Sequence, residues 1–270
     1  MSKTILRYAA LTLGALAMVG PFVWMVLTSV TGDAQLGRAD APLLPDPATV
    51  DTYGRLGDAF PFWRFAANSI GVAIASTLLQ LFTSATAAYA FSRLRFRGSN
   101  LVFLLYLATM MIPMQVIIVP LFIEMRYLGL VDSYAGLLLP TVVSSFGVFM
   151  LRQAFLALPK ELDEAAYVDG AGHVRVFGQV LLPLVAPALA TFAVFAFMSS
   201  WNAFLWPLVI AQTEAHMTLP VGLSLLQGRY STAWNVVMAG STVSVLPILA
   251  LYVFAQRYVV RGITFTGIKS

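Results

Sequence analysis

The 270-residue chain has no cysteine and only two histidines, His173 and His216. A disulfide framework, a thiolate metal site and a histidine cluster are therefore excluded, and no metal site is expected. Charge is scarce as well: Asp, Glu, Lys and Arg supply 10% of the residues against 59% hydrophobic, and mean hydropathy is +0.83. That balance excludes a soluble domain and predicts an all-α membrane protein with several spans. A net charge of +4 and a pI of about 9.5 do not mark a nucleic-acid binder, because the basic residues are scattered over short loops. Asp, Glu, Lys and His are missing from the centres of the apolar runs, which argues against proton or sodium coupling. No two catalytic groups converge, so an enzyme is not expected. The nearest approach to a phosphate loop, GITFTGIKS at 262–270, has one residue too many before Lys269 and no helix after it.

Six apolar runs are present, at about 8–30, 65–92, 100–123, 134–155, 181–206 and 236–258, and each is read as a transmembrane helix. The first follows Lys3 and Arg7; a signal peptide begins in the same way, but this run exceeds an ordinary signal core. The second is rich in small residues, among them Ala85, Ala87, Ala88 and Ala90, which allow close helix packing. It ends at Arg93, Arg95 and Arg97. The third contains Pro113 and Pro120 with Gln115 between them, so it should be kinked, with freed carbonyls that need polar partners. Arg152, late in the fourth, is expected to snorkel to the membrane surface. The fifth begins with Pro183 and Pro187 and ends near Trp201, Asn202 and Trp206.

Between the first two runs, 31–64 carries Asp33, Asp40, Pro42, Pro45, Pro47 and further turn formers, and reads as an external loop with one or two short helices. A second external loop, 208–235, carries Gln212, Glu214, His216, Gly228 and Arg229. Six spans put both termini on one side. Eleven of the sixteen Lys and Arg residues then fall on the side of the termini and five on the other, which predicts cytoplasmic termini. No internal repeat helps the reading.

One polar segment, 156–180, lies between the fourth and fifth runs and still looks built to fold. Pro159 suits a first helical position, and Glu161, Asp163 and Glu164 favour the positive end of the helix dipole. Gly170 and Gly172 should stop the helix. Leu158, Leu162, Ala165, Ala166 and Asp169 recur on one narrow face, which predicts a docking knob. A plain amphipathic helix lying on the membrane is the alternative.

Within this segment Glu164-Ala165-Ala166, then Gly170 after three intervening residues, then Val180 and Leu182-Pro183, resembles the EAA loop of ABC importer membrane subunits; only Val180 replaces the usual Ile. The longer EAAYVDGAG, with Phe177 and LPLVAP, is similar to the carbohydrate-uptake branch typified by the smaller maltose-transporter membrane subunit. The resemblance implies a type I ABC importer transmembrane domain spanning 1–270, with 156–180 as a cytoplasmic coupling loop in a bacterial inner membrane. It implies four kinds of partner: membrane lipid, a homologous second permease, two ATPase subunits and an extracytoplasmic substrate-binding protein. ATP and Mg would be bound by the ATPases, with no cofactor on this chain. Glu164, Ala165, Ala166, Asp169, Gly170, Gly172 and Pro183 would form the ATPase-coupling site. The Gly-rich C-terminal tail would lie against the ATPases, unless it is simply a frayed terminus.

For a substrate, Gln80, Gln115 and Asn202 offer hydrogen bonds to hydroxyls, and Trp201 and Trp206 offer faces for a sugar ring. Interhelical bonding by the amides and interfacial anchoring by the tryptophans are the alternatives. The expected function is translocation of a sugar or related polyol. A secondary transporter or channel, or a non-transporting membrane assembly subunit, are the other classes considered.

Overall fold

A computed structural model describes residues 2–36, 42–226 and 233–267. Asp40, Gly228, Arg229 and Lys269, named above, lie outside the described residues. The described chain is helical, and its only β pairing is an isolated bridge between Thr31 and Ala48. In order the helices are α1 (Ser2–Ser29), α2 (Asp33–Leu36), α3 (Asp51–Gly54), α4 (Leu56–Ala59), α5 (Phe62–Arg93), α6 (Ser99–Ala108), α7 (Met114–Tyr127) and α8 (Tyr134–Leu138). They continue with α9 (Ser145–Leu156), α10 (Glu161–Val168), α11 (His173–Arg175), α12 (Leu182–Leu184), α13 (Ala186–Trp201), α14 (Leu205–Ile210), α15 (Leu219–Leu225) and α16 (Trp234–Gly267). Three short helices therefore stand in the 31–64 loop, where one or two were expected.

Three helices are unbroken and apolar enough to cross a membrane: Thr4–Ser29, Phe62–Arg93 and Trp234–Gln256. The remaining three expected spans are each broken. The 100–123 run is two helices bent by 100°, because Pro113 has no N–H to donate and forces Ile112 into an extended conformation, at ψ 111°. Pro120 sits inside α7 without stopping it. The 134–155 run is bent by 47°. A 3-10 turn at Leu139–Thr141 holds Pro140, and the Ser144 hydroxyl restarts the chain by accepting from the Gly147 N–H. The fifth run does not begin at 181. Helix is under way from His173, passes through a π-helical stretch at Val176–Leu181, and bends by 80° before α13, where Pro183 and Pro187 interrupt the backbone ladder. It stops at Trp201, short of the expected 206.

The described residues form two compact units. In the first, Met1–Ala66 with Thr218–Ile248, Phe62, Phe65, Leu219 and Val221 are fully buried. Gly222 lets the backbone reach the Phe65 ring, since a Cβ there would fall 2.1 Å from it. The buried Asn235 amide donates to the Thr31 carbonyl at 3.1 Å and to Asp33 Oδ1 at 2.6 Å.

In the second unit, Ala67–Met217 with Leu249–Ser270, one core gathers Ala88, Tyr89, Leu151, Phe155, Leu181 and Phe192. A smaller one holds Val72, Met125, Leu137, Trp206 and Ile210. The Trp206 indole donates to the Gly136 carbonyl at 3.0 Å, so this ring is a packed structural element and not the open platform the sequence suggested. Arg152 does not snorkel freely either. Its Nε donates to the Phe91 carbonyl at 3.2 Å and its guanidinium lies 4.2 Å above the Phe103 ring, a cation–π contact that satisfies the charge inside the protein.

Candidate functional site

Helix α10 is eight residues long, shorter than the sequence suggested. Its first bonds run from the Asp163 and Glu164 N–H groups to the Lys160 carbonyl, so Pro159 precedes the helix and is not its first residue. Ala165, Ala166 and the two glutamates are good helix formers, and the acidic first turn suits the dipole. At the other end Gly170 N–H donates to Tyr167 and Ala171 N–H to Ala166, with Gly170 at φ +80°. This pair of bonds is a Schellman motif, which calls for glycine at that position. Asp169 is the C-cap residue.

The apolar stripe of α10 faces its own protein. Leu158, Leu162, Ala166 and Ala171 pack on the core around Tyr89 and Phe155. Ala165 and Asp169, expected on the same face, are exposed instead. The exposed surface of the loop is the opposite flank of α10, with Glu161, Glu164, Ala165 and Val168 (87% exposed), joined by Val174 of α11 (85% exposed). Spacing reveals that an apolar stripe exists but not which surface takes it. Tyr167 Oη lies 2.7 Å from His173 Nδ1 and closes the turn around Gly170. Gly172 is exposed, and Pro183 lies in α12 beyond the π-helical stretch.

Asp163 is the buried member of the acidic turn. Its Oδ2 lies 3.1 Å from Arg93 Nε, and the Arg93 side chain is 4% exposed. Burial pushes the Asp163 carboxyl above its ordinary range, while Arg93 pulls it down. Arg93 looked like one of three topology markers; the structure makes it a partner of the loop.

Of the five residues singled out for a substrate, the four besides Trp206 are held locally or exposed. Gln80 Nε2 donates to Ser76 Oγ at 3.0 Å within α5, and Asn202 Nδ2 donates to the Met198 carbonyl at the end of α13. Gln115 is exposed. Trp201 is 3% exposed and stacks on Phe197, so its face is not free for a sugar ring. An open cleft of about 400 Å³ beside Asn68, Gly71 and Tyr134 is lined by none of the four. Sequence reasoning missed a set of hydroxyls at the helix breaks. Ser76 and Thr141 are 3.0 Å apart, Thr83 Oγ1 donates to the Val142 carbonyl at 2.6 Å, and Thr109 and Ser145 meet at 2.8 Å. The signal was the Ser76, Gln80, Thr83, Ser84 spacing along one side of α5, hidden among the small residues.

A chain of apolar helices, half of them broken by proline or 3-10 turns, with one charged loop fixed to the end of a span, is a membrane transport subunit. The chain belongs to the family described as binding-protein-dependent transport system inner membrane component, whose model matches residues 80–265, and is a permease subunit of the ABC importer class. It is 37% identical over 258 residues to the arabinooligosaccharides transport system permease protein AraQ of Halalkalibacterium halodurans, covering 94% of this chain and 92% of that one. To the trehalose/maltose transport system permease protein MalG of Thermococcus litoralis it is 34% identical over 278 residues, covering 100% and 99%. Its fold is similar to a chain in the crystal structure of a bacterial ABC transporter involved in the import of the acidic polysaccharide alginate, with a TM-score of 0.85 and 27% identity over 94% of this chain and 95% of that one.

Proposed function

We propose that this permease translocates a sugar or related polyol handed over by an external binding protein, and that two partner ATPases drive it through α10. The sugar class is supported by the relatives, which are named for arabinooligosaccharide and trehalose/maltose transport. The single observation that carries the coupling role is the construction of α10: a charged, capped helix with one flank packed on the span ends and the other, with Val168, exposed beside Val174 of α11.

In this reading 1–270 is one permease domain with six spans, the three bent pairs each counting as one, and both termini are cytoplasmic with 156–180. Segments 31–64 and 208–235 face the binding protein. A second permease completes the pathway, and ATP and Mg belong to the ATPases, leaving this chain without catalytic work. Glu164, Ala165, Ala166, Asp169, Gly170, Gly172 and Pro183 form or flank the coupling element. Closure of the ATPases moves α10 as a rigid piece and rocks the broken spans from inward-open to outward-open. Gln80, Gln115 and Asn202 are the amides proposed to meet hydroxyls along the way. Gln80 is half-buried near the middle of α5, and an amide at that depth needs water, a ligand or protein to bond, because lipid has nothing to offer. The absence of acidic and basic residues at mid-span disfavours a secondary transporter.

The test is ATP hydrolysis by the complex in lipid, with and without binding protein and candidate sugars, in wild type and Gly170→Arg. Stimulation of the wild type and an assembled, unresponsive variant are expected. Failure of any ATPase to co-purify, together with no effect of Gly170→Arg, would sink the proposal.

A further inference from the structure

The basic cluster at the end of α5 is not uniform. Arg95 and Arg97 are exposed, but Arg93 is turned inward, where Nη2 donates to the Leu158 carbonyl at 2.9 Å and Nε faces Asp163 Oδ2 at 3.1 Å. One turn earlier on the same face of α5, Tyr89 Oη donates to the His173 carbonyl at 3.3 Å. Leu158 and Asp163 flank the start of α10, and His173 lies beyond its end. Both ends of α10 are thus tied to one face of one helix.

Stability alone does not account for this pair. Arg93 Nε and Asp163 Oδ1 are buried without a hydrogen bond, and a buried ion pair seldom outperforms apolar packing of the same volume. It does fix position, because pulling the partners apart leaves two charges buried and uncompensated. Further along α5, the Thr83 and Ser84 hydroxyls donate to the Val142 and Ser144 carbonyls at the break between α8 and α9. A displacement of α10 that carries α5 with it therefore arrives at a broken span.

We propose that Arg93, held by Asp163 and backed by Tyr89, is the positioning residue that makes α5 follow α10 as one body, passing motion of the coupling helix to the α8–α9 break. This rests on the reading of α10 as the coupling element. Removing the clamp leaves ATP hydrolysis and transport present but poorly linked.

The absence of native cysteine allows spin labels at Lys160→Cys and Arg97→Cys in the assembled complex, with the distance between them measured without nucleotide and with ATP trapped. The same complexes are assayed for sugar moved per ATP. Arg93→Met with Asp163→Asn removes both charges and leaves neither buried alone. In wild type one narrow distance is expected in both states. In the double variant the distribution broadens and sugar per ATP falls by about tenfold, a size ordinary for coupling between sites. A double variant with the narrow distance and wild-type stoichiometry overturns the proposal, as does a wild-type distance that changes with ATP. If the double variant does not assemble, Arg93→Lys decides: it keeps the charge but lacks the fork that holds Leu158 and Asp163 together, so wild-type coupling in it overturns the clamp. A wild-type complex that hydrolyses no ATP defeats the functional reading, while the nucleotide-free distances still judge the clamp.

Discussion

The Phe192 ring covers Gly147 so closely that a Cβ at Gly147 would fall 2.1 Å from it, and 2.6 Å from Ser84 Oγ. Gly147 lies in α9, Phe192 in α13 and Ser84 in α5, so three helices meet where only a hydrogen fits. Phe192 is 1% exposed and has little room to retreat. Gly147→Ala is expected to destabilise the subunit by about 1–3 kcal/mol, the usual cost of overpacking. Thermal melting of the purified complex checks this, and adding Phe192→Leu should recover part of the loss.

Asp132 anchors the segment after α14. Its Oδ1 accepts from the Gln212 and Thr213 N–H groups and its Oδ2 from the Thr213 hydroxyl, which with nearby His216 holds its carboxyl down at about 2, from 3.8. A depressed folded-state value means that the stabilisation is complete above the unfolded value and is lost as pH falls from about 4 toward about 2. Asp132→Asn keeps a side chain suited to φ +55° but removes the charge. It should cost about 1 kcal/mol at neutral pH and flatten that acid limb, as read from stability against pH.

A Cβ added at Gly170 would meet no atom within 4 Å, so substitution strains only the backbone at φ +80°. Gly170→Asn should be close to neutral for helix formation, whereas Gly170→Val should cost about 1–2 kcal/mol. Hydrogen exchange of the Ala171 amide, which closes the Schellman motif, reports the difference.

Asn68 holds the 215–217 backbone by donating to the Ala215 and Met217 carbonyls at 2.9 and 2.8 Å, and it accepts from Tyr134 Oη at 2.8 Å. Asn68→Leu removes both amide bonds, leaving the Met217 carbonyl without this donor and Ala215 with only the 3.4 Å bond from Tyr134 Oη, at about 1–3 kcal/mol. Faster proteolysis or hydrogen exchange confined to the segment before α15 is the expected sign.

Val168 and Val174 stand out from the loop with no packing to lose. Val168→Glu and Val174→Glu should each leave subunit stability within about 0.5 kcal/mol while weakening capture of the ATPases, measured by co-purification. Unchanged capture would remove these two side chains from the docking surface.

Much of this protein was legible in the chain itself. Apolar runs of span length and the Glu164 to Pro183 pattern follow from local chemistry, because lipid admits only helices with internally satisfied backbones. Gly170 was equally readable, because a helix stop with positive φ selects glycine. What local patterning does not encode is which surface each stripe meets. Pro120 is accommodated within α7 whereas Pro113 stands at the break in its span. Leu162 and Ala166 turn to their own core, Trp201 and Trp206 disappear into packing, and Arg93 leaves the basic cluster to meet Asp163. Those outcomes needed the tertiary structure, since they depend on residues far apart in sequence competing for the same few contacts.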